Sequence, residues 1–394
     1  MSIADKLQEL VDSKADMKSA IAEKGVDVEG GLTTYAAAIR KIQQWAGDRF
    51  AAIGYNAENT GGFIQLMDAD IEVSKKILDE WNSTEWANVD MNKWKDVAVY
   101  FPAVDLTRYP YINTFRFLGW SKLQVVPSLD FTGRTSMNGL FYRCKSLKYI
   151  GNITGTESVT DMYSAFSGCS SLTSIPYFDT KNVQDMSWLF ENCTSLTTVP
   201  QLDTSSATNL SGMFWGCSSL NTVPQLDTSS ATDLHTMFSG CTSLTSIPQM
   251  NTSSATNLSG MFWGCSSLTT IPQLDTSNVL SIDKMFCNCT SLTSIPLLDC
   301  SSITDAISPF QVSSNLYNLT DLGGFKDLKV GWSIDFLNMI PNVTVESLMN
   351  VINNLYDLTA NGLSGKTLSF GEVNLNKLTD KQIAVAIVKG WTLI

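Results

Sequence analysis

Cysteine, aspartate and histidine are the side chains in this sequence best equipped to do chemistry, and their spacing decides which kind. Seven of the nine cysteines fall at Cys144, Cys169, Cys193, Cys217, Cys241, Cys265 and Cys289, 25 residues apart once and 24 thereafter. Stacked rungs lie about 4.8 Å apart, so such thiols form a column in which cysteine is a small apolar filler. An odd count leaves at least one thiol free, and the expected state is a reduced, structural column. Cys287-x-Cys289 with Cys300 nearby has the atoms for a metal. The sole histidine, His235, is distant and no second pair completes a tetrahedral set, so neither metal nor cofactor is expected.

Asp105, Asp130, Asp179, Asp203, Asp227, Asp275 and Asp299 also recur at one position, with Thr154 and Asn251 substituting. A calcium column is the sharper reading. The substitutions remove charge and the glycine-rich calcium pattern is missing, so the aspartates are read as accepting backbone N–H bonds in their own turns. His235 stands where other copies have Ser211 and Ser259. With no nucleophile, base and orienting group that the pattern would gather, the chain is not expected to be an enzyme.

The elements that position these residues are written in the same period. The phrase Met213-Phe214-Trp215-Gly216-Cys217-Ser218-Ser219-Leu220-Asn221-Thr222-Val223-Pro224-Gln225-Leu226-Asp227-Thr228 returns between Pro127 and Asp299, its phenylalanine as Phe141, Phe166, Phe190, Phe214, Phe238, Phe262 and Phe286. A fixed period in the twenties marks repeats that cannot bury their apolar face alone and must stack. Leu172-x-x-Ile175-Pro176 and Leu244-x-x-Ile247-Pro248 read as short strands ended by a proline that has no N–H to give. The Asp-Thr-Ser that follows reads as an Asx turn. The pairs Met137/Phe141, Met186/Phe190 and Leu258/Phe262 then place two apolar groups on one face of a helical or 3₁₀ turn.

These residues resemble the BspA-like leucine-rich repeats, in the short cysteine-containing variant of gut bacteria and their phages. The resemblance implies an α/β fold: a leucine-rich repeat solenoid with one short strand per 24-residue repeat, a helical N-terminal module and a helix-strand C-terminal cap. The divisions are a helical mounting or oligomerisation module over 1–45, a linker and N-terminal cap over 46–96, the solenoid over 97–300 and a C-terminal repeat cap over 301–394.

Within the first module Ile3, Leu7, Leu10, Met17 and Ile21 take heptad positions a and d, interrupted by Lys14. A short coiled coil and an amphipathic helix packed on its neighbour both fit. The run Ala15–Val26 with Leu32–Ala36, Ile39 and Ile42 looks like an N-terminal module of phage tail and fibre proteins. That resemblance implies a mount on the particle and a homo-oligomer. Asp70–Trp81 reads as an amphipathic helix closing the open end, with Trp120 and Phe117 filling the first rung's cysteine and phenylalanine positions. Val345–Leu355, Thr367–Phe370, Thr379–Lys389 and Trp391–Ile394 read as helix, strand, helix and strand covering the far edge.

Composition bounds the partners. A net charge of −12 argues against nucleic acid or an anionic membrane as ligand. Met1–Lys6 lacks the basic start of a signal peptide, and no stretch approaches the ~18 apolar residues of a span, so no membrane insertion is expected. The resemblance implies a virion structural protein, a tail or head fibre component assembled in the host cytoplasm. Its partners would be other virion proteins and a host-surface glycan or protein. A bacterial cell-surface BspA-like adhesin is the second reading. Candidate binding residues are the solvent side of the strands, Thr173, Thr197, Asn221, Thr245, Thr269 and Thr293, whose small hydroxyls also suit them simply as strand formers. Trp215 and Trp263 are either sugar-stacking platforms or packing between rungs. A buried reduced column predicts slow thiol labelling of the native chain and a jump on denaturation. Rapid native labelling of most of the seven would refute it.

Overall fold

A computed structural model of the chain describes residues 50–52, 63–65, 68–83, 91–102, 115–126, 128–303, 316, 318–328, 340–363 and 365–394. The expected N-terminal heptads and mounting module, and Asp105, lie outside them. The elements are β1 (Phe50–Ala52), β2 (Phe63–Gln65), α1 (Asp68–Ser83), β3 (Val125–Val126), β4 (Leu129–Asp130), β5 (Tyr149–Ile150), β6 (Ile153–Thr154), β7 (Leu298–Asp299), β8 (Phe325–Lys326), α2 (Val345–Asn354), β9 (Lys366–Leu368), α3 (Gly371–Leu375), α4 (Asp380–Val388) and β10 (Trp391–Leu393). β1 and β2 pair antiparallel, whereas β3–β5, β4–β6, β7–β8 and β9–β10 pair in parallel. The chain is thus a mixed helix–strand repeat protein with short paired strands.

Between the named pairs the repeats are held by single parallel bridges that climb one repeat at a time, Ser136↔Asp161, Asp161↔Asp185, Asp185↔Asn209, Asn209↔Asp233, Asp233↔Asn257 and Asn257↔Ser281. These fall at the entry to the Met-x-x-x-Phe segment, not in the Leu-x-x-Ile stretch where a strand is expected. Proline is the reason. Where the position holds a glycine, Gly151 N–H donates to the Val126 carbonyl at 2.9 Å and β5 forms. Pro176, Pro200, Pro224, Pro248, Pro272 and Pro296 take that position in later rungs and cannot donate. A bond such as Thr293 N–H to the Thr269 carbonyl, 3.0 Å, is what remains of the strand.

The Met-x-x-x-Phe segment is a run of separate i→i+3 turns, the bond of a 3₁₀ turn, but left-handed residues keep it from forming a continuous helix. In one rung Ala165, Ser167 and Cys169 donate to the carbonyls of Met162, Ser164 and Phe166 of their own rung. The alternate amides of Met162, Ser164, Phe166 and Gly168 donate instead to Asp185, Ser187, Leu189 and Glu191 of the next, at 2.6 to 3.0 Å. Two left-handed residues per rung aim the amides this way, Ser164 with Gly168, Trp188 with Asn192, Gly212 with Gly216, and so on up the stack.

The geometry turns the apolar positions inward. Phe117, Phe141, Phe166, Phe190, Phe214, Phe238, Phe262 and Phe286 form one stack with ring centroids 5.2 to 6.3 Å apart. Every column thiol is buried and free. Each also donates to a phenylalanine carbonyl of the rung before, as Cys193 to Phe166 at 3.1 Å and Cys217 to Phe190 at 3.0 Å. The first thiol of the column, Cys144, donates to the Phe117 carbonyl of the rung before, where buried Trp120 stands at the cysteine position.

The ends are closed by longer elements. α1 buries Ile77 in the same core. The ladder itself runs past residue 300, through β8 on β7 and the Ser294↔Asp321 bridge. α2 starts at Thr344, whose hydroxyl accepts from Ser347 N–H, and α4 carries a capping box between Thr379 and Gln382. Lys389 Nζ donates to the carbonyls of Ile352, Asn353 and Leu355, completing the C-terminal end of α2 where a cation also suits the helix dipole.

Burial pushes the thiols up, to about 12 for Cys193 and Cys265 from an ordinary value of 9.0. Above the ordinary value the unfolded chain loses protons that the folded chain keeps. Their stabilisation is therefore full below pH 9 and is lost as pH rises toward 12. The unfolding free energy measured in urea should fall through that window by up to ~1.4 kcal/mol per thiol per pH unit, and Cys217→Ala should flatten the slope. A second outcome concerns Gly212, where a Cβ would sit 2.5 Å from the Trp188 ring on a backbone with φ of 60°. Gly212→Ala should cost about 1–2 kcal/mol for the left-handed backbone and about 1–3 for overpacking. In a Trp188→Ala background only the first part should remain, which a double-mutant cycle in urea measures.

Candidate functional site

Where the first rungs send Leu129 N–H to the Asn152 carbonyl at 2.8 Å, later rungs reach the equivalent carbonyl with a side chain. Gln201 Nε2 donates to the Gln225 carbonyl, Gln225 to Gln249 and Gln249 to Gln273, each at 2.6 Å, and Gln273 to Leu297 at 2.8 Å. The amide's second hydrogen turns to the following residue's carbonyl, as from Gln201 to Leu202 at 3.2 Å. A side-chain ladder thus replaces the backbone one, and both donors of each amide are used. The Oε1 atoms remain as acceptors.

Two positions on, the aspartates turn the chain. Asp203 Oδ1 accepts Ser205 N–H at 3.0 Å and its hydroxyl at 2.6 Å, and Asp227 and Asp275 hold Ser229 and Ser277 likewise. Asn251 makes the same turn with Ser253, so the turn needs the oxygen and not the charge. The geometry is that of Asx turns, and among the described residues no three Asp, Glu, His or Cys side chains come together to hold a metal ion. The serine bonds hold the carboxyls of Asp203, Asp227 and Asp275 below the usual range. Behind them Thr180, Thr204, Thr228, Thr252 and Thr276 are buried, their hydroxyls donating to the next rung's carbonyl at 2.6 to 2.9 Å.

Together these columns border a groove of about 1110 Å³ that crosses the rungs from Tyr177 to Lys326. The glutamine column ends in apolar groups, Tyr177 at 68% exposure and Leu297 at 38%. At the far end of the groove Lys326 pairs with its neighbour in the β7–β8 register, Asp299, at 2.7 Å from Oδ2.

The candidate residues read from the sequence lie elsewhere. Thr173, Thr197, Asn221, Thr245, Thr269 and Thr293 are all exposed, in a column that does not line the groove. Some of its hydroxyls are spent on the neighbour below, as Thr293 Oγ1 to the Thr269 carbonyl at 3.0 Å. Trp215 is half-buried, edge-on to Trp188 with centroids 6.1 Å apart. Trp263 stands in an identical 17-residue segment yet is 44% exposed. The rung beneath Trp263 carries Thr236 where the rung beneath Trp215 carries Trp188, and a threonine cannot cover an indole. His235 packs on Trp188 at 5.8 Å, its Nδ1 3.7 Å from Asp233 Oδ1. Sequence reasoning passed over Gln201, Gln225, Gln249 and Gln273. Their return in every Pro-Gln-(Leu/Met)-(Asp/Asn) phrase was the available signal.

A comparison with curated proteins gives no match. Among solved structures the chain is 13% identical to one titled "Crystal structure of TLR13-ssRNA13 complex", over 70% of this chain and 48% of that one, with a TM-score of 0.22. It spans about half the length of that chain, and so loose a superposition says nothing of function. The family described as "Mycoplasma protein of unknown function, DUF285" matches residues 117–223, 185–296 and 221–321, together just over half of the chain. The period, the parallel bridges and this match agree: the chain belongs to that family and is a BspA-like repeat protein.

Proposed function

We propose that this chain is a recognition protein whose rungs form a leucine-rich repeat solenoid and whose ligand is an extended macromolecule lying along the groove. One observation carries the reading: a continuous channel over the Gln201, Gln225, Gln249 and Gln273 column, fixed by hydrogen bonds to the backbone before any ligand arrives. Pre-ordered side chains lose little entropy on binding, and repeated weak contacts add along a polymer. The setting we propose is a virion fibre, with residues 1–45 as the mount and the solenoid turned toward a host-surface glycan or protein or a neighbouring virion protein. The support is the sequence resemblance of that N-terminal stretch. A cell-surface adhesin of the BspA-like kind is the second reading, favoured by the family match to a protein described from a bacterium.

The groove reading is separable from the exposed threonine column. Tyr177 already occupies the glutamine position of one rung, so Gln225→Tyr with Gln249→Tyr should fold and fill the groove. That variant should lose attachment to host cells or to partner particles by tenfold or more, about 1.4 kcal/mol. Thr197, Asn221, Thr245 and Thr269 changed together to lysine should leave attachment nearly intact. The reverse result would return the binding face to the threonines. Finding the chain by mass spectrometry in purified virions, or in the cell-surface fraction of a bacterial culture, decides between the two settings.

A further inference from the structure

Resting on the groove as the binding site, we infer that its occupant is an extended polycation, a lysine- or arginine-rich segment of a partner protein. Apart from Lys326, the Tyr177 hydroxyl and the Asn251 amide, the side chains lining the groove have only acceptors left to offer. Both amide hydrogens of Gln201, Gln225, Gln249 and Gln273 are donated to carbonyls, and the buried threonine hydroxyls beneath are donated upward. Asp203, Asp227 and Asp275 spend Oδ1 on their turns and are exposed. Among the lining residues the one cation is Lys326.

The chain itself shows how such an oxygen receives an ammonium. Asp299 uses Oδ1 for Ser301 N–H at 3.0 Å while its Oδ2 holds Lys326 Nζ at 2.7 Å. In the rung of Tyr177, Asp179 does the same with Lys181, Oδ1 on the backbone N–H and Oδ2 3.4 Å from Nζ. The two ends are therefore neutralised from within; between them Lys181 acts on Asp203 only at a distance, and among the described residues no ion pair answers Asp203, Asp227 or Asp275. A single ion does not answer that charge, since no three such ligands converge among the described residues. A chain that carries its positive groups along several rungs does, and the overall −12 charge would speed its approach.

The test uses the full-length chain and fluorescent decalysine, read by anisotropy at low and high salt. Binding is expected at low salt and should weaken as salt screens exposed charges. Asp203→Asn, Asp227→Asn and Asp275→Asn together should weaken it about tenfold. The fold should survive, since Asn251 already makes that turn. The control removes equal charge off the groove, at Asp161→Asn, Asp185→Asn and Asp233→Asn, in a column where Asn209 and Asn257 already hold the same kind of turn. It should bind as wild type. No decalysine binding at low salt, an unaffected groove triple variant, or equal losses in both triple variants would each overturn the polycation. Cellohexaose is the neutral probe: if wild type holds it and Gln225→Tyr/Gln249→Tyr does not, the polycation fails and the groove stands. If that tyrosine variant alters neither probe's binding, the groove reading fails as well.

Discussion

Everything in this molecule depends on where the alternate amides of the Met-x-x-x-Phe segment point. In a helix all of them would close on their own chain, but here Met162, Ser164, Phe166 and Gly168 send theirs to the next rung. A buried N–H without a partner costs about 1–3 kcal/mol, so no rung is satisfied until its neighbour is in place. The left-handed residues that aim these bonds carry the strain for it. Glycine takes the position freely at Gly212 and Gly260, whereas Thr236, β-branched, sits there with φ of 52°. Such a residue persists because two rungs over-determine it.

The same accounting explains the groove. Proline removes one donor per rung from the neighbouring stretch, which keeps the strands short. A glutamine amide in the next position reaches one rung along, to the carbonyl whose counterpart Asn152 takes Leu129 N–H in the first rungs. A backbone bond between rungs is thus replaced by a side chain whose oxygen is left as an acceptor. Its charge is then set separately, by whether aspartate or asparagine serves the turn two residues later. Asp227 and Asn251 hold the same serine bonds in successive rungs, so charge along the groove can change without disturbing the fold.

The core columns follow from stacking as well. Phenylalanine rings 5.2 to 6.3 Å apart set the spacing of the rungs, and a column of small side chains packs beside them. Cysteine fits, and its weak donor meets a phenylalanine carbonyl that already accepts the amide of its own turn, as Phe166 does from Cys169 and Cys193. Where the stack ends, Trp120 and the lysines Lys377 and Lys389 take over. Lys377 donates to the carbonyls of Pro341 and Val343, and Lys389 to those at the end of α2.

The period, the inward phenylalanines and cysteines, the Asx turns and the closing helices at 68–83, 345–354 and 380–388 were legible because each is a local pattern. Apolar spacing, a capping threonine or an Asp-x-Ser needs no distant partner to be read. What the tertiary structure alone decided is how the rungs meet. It moved the pairing from Leu-x-x-Ile to the entry of the Met-x-x-x-Phe segment, because a missing donor matters only once a partner rung faces it. It exposed Trp263 and covered Trp215 within identical segments, because the residue one rung below differs. It turned Gln225 from an unremarked polar residue into the wall of a groove, because the carbonyl it satisfies lies 24 residues away.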